Sequence, residues 1–136
     1  MSNEIILYKK SNSEFIMSMN ILNLLSTYYI YNKQGFIISL PHSCLCATSY
    51  LFWRNPRKDY IMYSDYFTVI FSMSYHFYNS ITYNKDTVTM YGILLLFYLY
   101  NISNYFKYLN KNEEYAVYFH SLTYLLGNIG IVYIYN

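Results

Sequence analysis

Five long apolar runs, separated by short polar segments, organise this chain. The first, Phe15 to Tyr31, is uncharged and bounded by Glu14 and Lys33. The second, Gly35 to Trp53, holds Pro41 and His42 and ends at a basic loop with Arg54, Arg57 and Lys58. Met62 to Asn79 carries Asp65 near its start and His76 near its end, and Thr87 to Phe106 contains the most hydrophobic stretch, GILLLFYLY. Tyr115 to Tyr135 has His120 near its start and Gly127 and Gly130 about one turn apart, where a neighbouring helix could pack closely. A hydrocarbon core about 30 Å thick takes roughly 17 to 25 helical residues. The pattern predicts an all-α fold: a polytopic transmembrane helix bundle of about five spans, forming one integral membrane domain over residues 1–136.

The competing expectation is a water-soluble bundle whose buried helices are rich in Tyr. A soluble surface helix alternates polar and apolar positions with a period of about 3.6, and none of the five runs shows such an outward polar face. Short connections make neighbouring helices antiparallel. With five spans, Lys9, Lys10, Arg54, Arg57, Lys58, Lys107 and Lys111 fall on one side, against Lys33 and Lys85 on the other. Basic loops stay cytoplasmic. The N-terminus is therefore expected in the cytoplasm, with the membrane compartment unspecified.

Composition agrees with a membrane setting. Only 12% of the chain is charged and 55% is hydrophobic, with 21 Tyr and 9 Phe, whereas a soluble domain averages about 25% charged residues. The abundance of Tyr, Asn, Ile and Lys resembles the product of an AT-rich genome. A net charge of +2, without a basic stripe interleaved with aromatics, gives no footprint for nucleic acid, which is not expected as a partner. Cys44 and Cys46 stand two positions apart on a helix that turns about 100° per residue, so they face nearly opposite ways and share neither a metal nor a disulfide. The N-terminal segment lacks the order of a cleaved signal peptide. Ser2 stands where N-myristoylation requires glycine.

Candidate chemistry gathers at one predicted membrane level. Ser49 ends the second run, Asp65 begins the third and His120 begins the fifth, and alternating helix direction brings the three together. Polar groups in hydrocarbon are costly, so an intramembrane ionisable residue is read first as a functional site. Each also has a simpler role: Ser49 bonding a carbonyl one turn back, Asp65 at the headgroups beside Arg57 or Lys58, His120 as an interfacial polar tip.

Two stretches carry a resemblance. Ser49-Tyr-Leu-Phe52-Trp53 followed by Asp65-Tyr66-Phe67 resembles the SxxFH…DYF pattern of the alkaline-ceramidase-like (CREST) superfamily, and Tyr118 to Leu126 resembles the HSxWHxL motif of its myomaker-like branch. The likeness covers the second, third and final helices, about half the chain. It implies kinship with seven-span membrane proteins, including alkaline ceramidases, adiponectin receptors, GPI-lipid-remodelling hydrolases and myomaker. Active members hold zinc with three histidines, while a serine and an aspartate assist the bound water in hydrolysing a lipid amide or ester. On that implication Ser49, Asp65 and His120 are the catalytic positions and His120 a metal ligand. The other two expected histidines are Trp53 and Tyr124 here, and catalytic zinc normally needs three protein ligands plus an open position. Two fewer spans than seven still leave His120 entering from the matching side.

The remaining histidines do not rebuild that site. His42 lies about 10 Å and His76 about 16 Å deeper, at a rise of about 1.5 Å per residue, beyond reach of a zinc shared with His120. They share the opposite half of the bilayer, an arrangement that a paired-histidine haem would also need. The favoured expectation is a noncatalytic, degenerate member of the family that engages membrane lipids or partner helices, with no cofactor. The alternatives are a zinc-dependent lipid amidase or esterase with altered ligands, and a small pore or membrane-remodelling protein outside the family.

Overall fold

The computed structural model describes residues 7–136 and is all-α. Six helices follow one another: α1 (Lys10–Met19), α2 (Ile21–Gln34), α3 (Phe36–Arg54), α4 (Tyr60–Thr82), α5 (Asp86–Tyr108) and α6 (Glu113–Tyr135). The N-terminal expectations, Ser2 among them, fall outside the described residues.

The first apolar run is longer than Phe15 to Tyr31 and is not one helix. It is α1 and α2, meeting at Asn20, whose side chain turns into the bundle and donates from Nδ2 to the Cys46 carbonyl at 2.8 Å. Gly35 alone joins α2 to α3. Its φ of 87° lies in the left-handed region that glycine adopts without strain, which lets the chain reverse in one residue. Asp59 starts α4 by accepting from the Ile61 and Met62 amides at 2.9 and 3.2 Å, as an N-cap does.

Consecutive helices pack side by side from α2 to α6, and α6 closes the ring against α1 and α2 while also touching α4. The two ends of the bundle are tied separately. At one, Glu113 Oε1 accepts from the Lys9 amide and from Asn12 Nδ2, both at 2.7 Å. At the other, the Tyr83 hydroxyl reaches Gln34 Oε1 at 2.9 Å and Lys85 Nζ caps the Tyr133 carbonyl at 2.8 Å.

Two helices, α3 and α6, are long and apolar enough to cross a membrane. α4 and α5 have the length without the mean hydropathy, because Tyr, Ser and Asn dilute their aliphatic residues. Gly127 and Gly130 do not provide the close helix approach their spacing suggests. A Cβ on Gly127 would only touch Leu96 at an ordinary 4.0 Å, and one on Gly130 would meet nothing within 4 Å.

The interior mixes apolar and polar side chains, with Ile16, Ile30, Phe52, Trp53 and Ile131 among the buried apolar ones. Ser39, His42, Ser49, Asp65, Ser72, His76, Ser103 and Asn128 are inside. Phe36, Ile37, Tyr60, Phe67, Ile70, Tyr91, Leu94 and Tyr98 are outside. Every helix from α2 to α6 contributes large apolar side chains to the outer surface. Single exposed apolar residues are common on soluble proteins, but a surface covered with them is not.

Candidate functional site

Ser49, near the end of α3, and Asp65, in the second turn of α4, face each other across the helix pair. Ser49 Oγ donates to Asp65 Oδ1 at 2.7 Å. Thr48 Oγ1 lies 3.2 Å from the same oxygen and 2.6 Å from Thr68 Oγ1. Asp65 is 6% exposed, so it has turned into the bundle rather than out to the headgroups beside Arg57 or Lys58. Ser49 likewise bonds the carboxylate and not a carbonyl one turn back. The pair is built by register: Thr48 and Ser49 put two hydroxyls on the α4-facing side of α3, and Asp65 and Thr68 answer one turn apart.

His120 joins from α6. Its ring and Asp65 line one small cavity together with Trp53, Tyr66, Tyr100 and Lys107. The cavity volume is about 30 Å³, enough for a water molecule. Trp53 accounts for the lack of space. Its indole is 2% exposed and lies 4.9 Å, centroid to centroid, from each of His120, Tyr8 and Phe52. Tyr124 packs on the same cluster with its ring 5.9 Å from His120. His120 is thus surrounded by aromatic rings, Tyr100 at 6.1 Å being another. A larger hollow of about 410 Å³ is an open groove between α2 and α3, lined by Leu24, Thr27, Ser43 and Tyr50, and shares none of these groups.

The rim of the small cavity carries a cation. Lys107 Nζ sits 3.6 Å from the Tyr8 ring centroid. Burial lowers the Lys107 ammonium to about 8, against the opposing pull of Glu113. Burial pushes the Tyr8 phenol well above its ordinary range, with Tyr108, Tyr100 and Glu113 adding to the effect, so the ring stays neutral under the ammonium.

The sequence reading missed a second polar cluster deeper in the bundle. Asn23 Nδ2 donates to Asn20 Oδ1 at 2.7 Å, and Asn128 Nδ2 donates to Asn23 Oδ1 at 2.9 Å and to the Tyr124 carbonyl at 2.7 Å. Asn128 Oδ1 faces His42 Nε2 at 3.4 Å. His76 stands 5.4 Å from His42, ring to ring, and its Nδ1 meets the Tyr135 hydroxyl at 2.7 Å. The signal was present as polar residues recurring every three or four positions: Asn20, Asn23 and Ser26 at the start of α2, Ser39 and His42 in α3, and Ser72, His76 and Ser80 in α4. His42 and His76 do share a level, as expected, but edge-on contact at that separation leaves no slot for a porphyrin between them. Among the described residues, no three His, Cys, Asp or Glu side chains are grouped closely enough to hold a metal.

Comparison with models of known families, with curated proteins and with solved structures finds no match. The geometry of the bundle and its two polar clusters therefore carries the functional argument.

Proposed function

We propose that the chain is a noncatalytic, multi-pass integral membrane protein, a degenerate relative of the alkaline-ceramidase-like superfamily that keeps the fold to contact lipids and partner helices. All five rods, α1 with α2 counting as one, cross the bilayer with the N-terminus cytoplasmic. The apolar exterior and the buried Ser, Asn, Asp and His side chains support this, because in hydrocarbon an outward Phe or Leu is at home and small and polar residues between helices hold them together. Closed backbone hydrogen bonding within each helix is the other requirement, and an all-helical chain meets it.

The observation that carries the noncatalytic reading is Trp53. Ser49 bonds Asp65, and Asp65 shares a small cavity with His120, yet the indole packed on His120 stands at the position where the resemblance expects a metal-binding imidazole. An indole N–H donates and cannot ligate a metal. Tyr124 occupies the position of the other missing ligand, and the residual space admits a water rather than a lipid headgroup.

The test is purified protein in detergent or bilayers, supplied with zinc and a panel of ceramides and lipid esters. No hydrolysis above the Asp65→Asn variant is expected. Zinc-dependent turnover that Asp65→Asn or His120→Ala abolishes would replace this proposal with the altered-ligand hydrolase.

A further inference from the structure

The end of the bundle tied by Glu113 is also its basic end. Three segments meet there: residues 7–9 ahead of α1, residues 55–59 between α3 and α4, and residues 109–112 between α5 and α6. The Leu7 amide donates to the Pro56 carbonyl at 2.9 Å, the Lys9 amide donates to Glu113 Oε1 at 2.7 Å, and Lys107 Nζ lies over the Tyr8 ring. These contacts hold parts of the chain that are distant in sequence on one face. Among the described residues that face carries seven lysines and arginines against four carboxylates, whereas the opposite end has only Lys33, Lys85 and Asp86.

Three of the four carboxylates are engaged already. Asp59 caps α4, Glu113 also accepts from Asn12 Nδ2, and Glu14 lies 3.8 Å from Lys10 Nζ. The side chains of Lys9, Arg54, Lys58 and Lys111 are exposed, and none is paired with a carboxylate among the described residues. Tyr60, Tyr108, Leu109 and Tyr115, two to four positions from Lys58 or Lys111 in the chain, are exposed as well. Aromatic residues mark the level where hydrocarbon meets water, so cations and apolar surface adjoin at one membrane boundary.

We propose that this rim gathers anionic phospholipids, their headgroups at Lys9, Arg54, Lys58 and Lys111 and their acyl chains along the apolar exterior. The inference rests on the membrane-spanning reading and adds the class of lipid. That reading places this end at the cytoplasmic leaflet, which carries anionic phospholipid. Recognition needs no pocket and no convergence of side chains, because an exposed charge acts over about 10 Å at 0.1 M salt. An anion that ends in acyl chains satisfies both halves of the boundary, the cations and the exposed Tyr and Leu beside them, which a nucleic acid does not.

The experiment uses the full chain in phosphatidylcholine bilayers with a trace of phospholipid spin-labelled on its acyl chain and bearing a choline, serine or glycerol headgroup. Electron spin resonance separates lipid slowed at the protein surface from free lipid. Phosphatidylserine and phosphatidylglycerol should each be enriched at that surface roughly 2- to 5-fold over phosphatidylcholine at low salt. The preference should vanish at about 1 M salt, where a charge reaches only about 3 Å. The combined variant Lys9→Gln, Arg54→Gln, Lys58→Gln, Lys111→Gln should lose it, while Lys33→Gln at the opposite end keeps it. All four side chains are exposed and the Lys9 contact to Glu113 is made by its backbone, so the combined variant keeps the fold; the salt series on the unaltered chain tests the proposal independently of it. Slowed lipid without headgroup preference overturns the proposal and leaves the spanning reading intact, as does a preference that survives high salt or the combined variant, or enrichment of one anionic headgroup alone. Absence of slowed lipid with any headgroup overturns both.

Discussion

Replacing Asn128 by Ala should be among the most damaging single changes in the bundle, although it deletes no apolar surface. Asn128 is 7% exposed and makes three polar contacts: to Asn23 Oδ1 at 2.9 Å, to the Tyr124 carbonyl at 2.7 Å and to His42 Nε2 at 3.4 Å. Side-chain hydrogen bonds between helices in a membrane average about 0.6 kcal/mol each, with a maximum of about 1.7. Three together amount to about 2 kcal/mol, roughly a 30-fold change in the folded-to-unfolded ratio. The loss should exceed that of the adjacent Ile129→Ala, which truncates a side chain that is 54% exposed. Reversible unfolding in mixed micelles with rising SDS fraction measures both, read by far-ultraviolet circular dichroism and by the fluorescence of Trp53, the sole tryptophan. A change below about 0.5 kcal/mol for Asn128→Ala, or a larger one for Ile129→Ala, would refute the reasoning that polar contacts inside and not apolar contacts outside hold the helices together.

Further outcomes follow from the same contacts. Trp53→Ala removes an indole packed against three rings and should cost about 3 to 5 kcal/mol in the same unfolding assay read by circular dichroism, as large aromatic truncations in cores do. Asp59→Ala removes the acceptor of two amides at the start of α4 and should cost about 1 kcal/mol by that assay. Burial lowers Lys107 from its usual 10.5 to about 8. Between these values the unfolded chain binds the proton and the folded chain does not, so stability rises with pH across that window. The penalty is fully present below pH about 8. Lys107→Met should flatten the rise, as seen in the SDS midpoint followed from pH 7 to 10.5.

The fold was legible where the physics is local. Long apolar runs become helices because nothing within them competes for the backbone, and α3 through α6 lie within a few residues of their expected ends. Ser49, Asp65 and His120 were placed at one level by counting residues along antiparallel helices, and the structure brings Ser49 onto Asp65 and turns Asp65 and His120 to one cavity. The break at Asn20 was not legible, because it depends on a carbonyl of Cys46 twenty-six positions away. The polar interior was hidden for another reason: a search for an outward polar face looks past an inward one. Ser39, His42, Cys46 and Ser49 recur at intervals of three and four along α3, a helical stripe that reads as noise until its partners on α4 and α6 are known. The narrowness of the cavity was likewise invisible, since Tyr8 and Tyr100, which help close it around Trp53 and His120, lie far from both in the chain.

On the proposed function, the apolar exterior of this bundle faces lipid on all sides. Single nitroxide labels at Ile37 on α3, Ile70 on α4, Leu94 on α5 and Ile129 on α6, all on the outer surface, test it in reconstituted bilayers through collision rates with oxygen and with a water-soluble nickel chelate. Oxygen is enriched in hydrocarbon and the chelate is excluded, so all four labels should show high oxygen and low chelate accessibility. High chelate accessibility at Ile70 and Leu94, with protection only at Ile37 and Ile129, would contradict the account and leave α3 and α6 as the sole membrane helices.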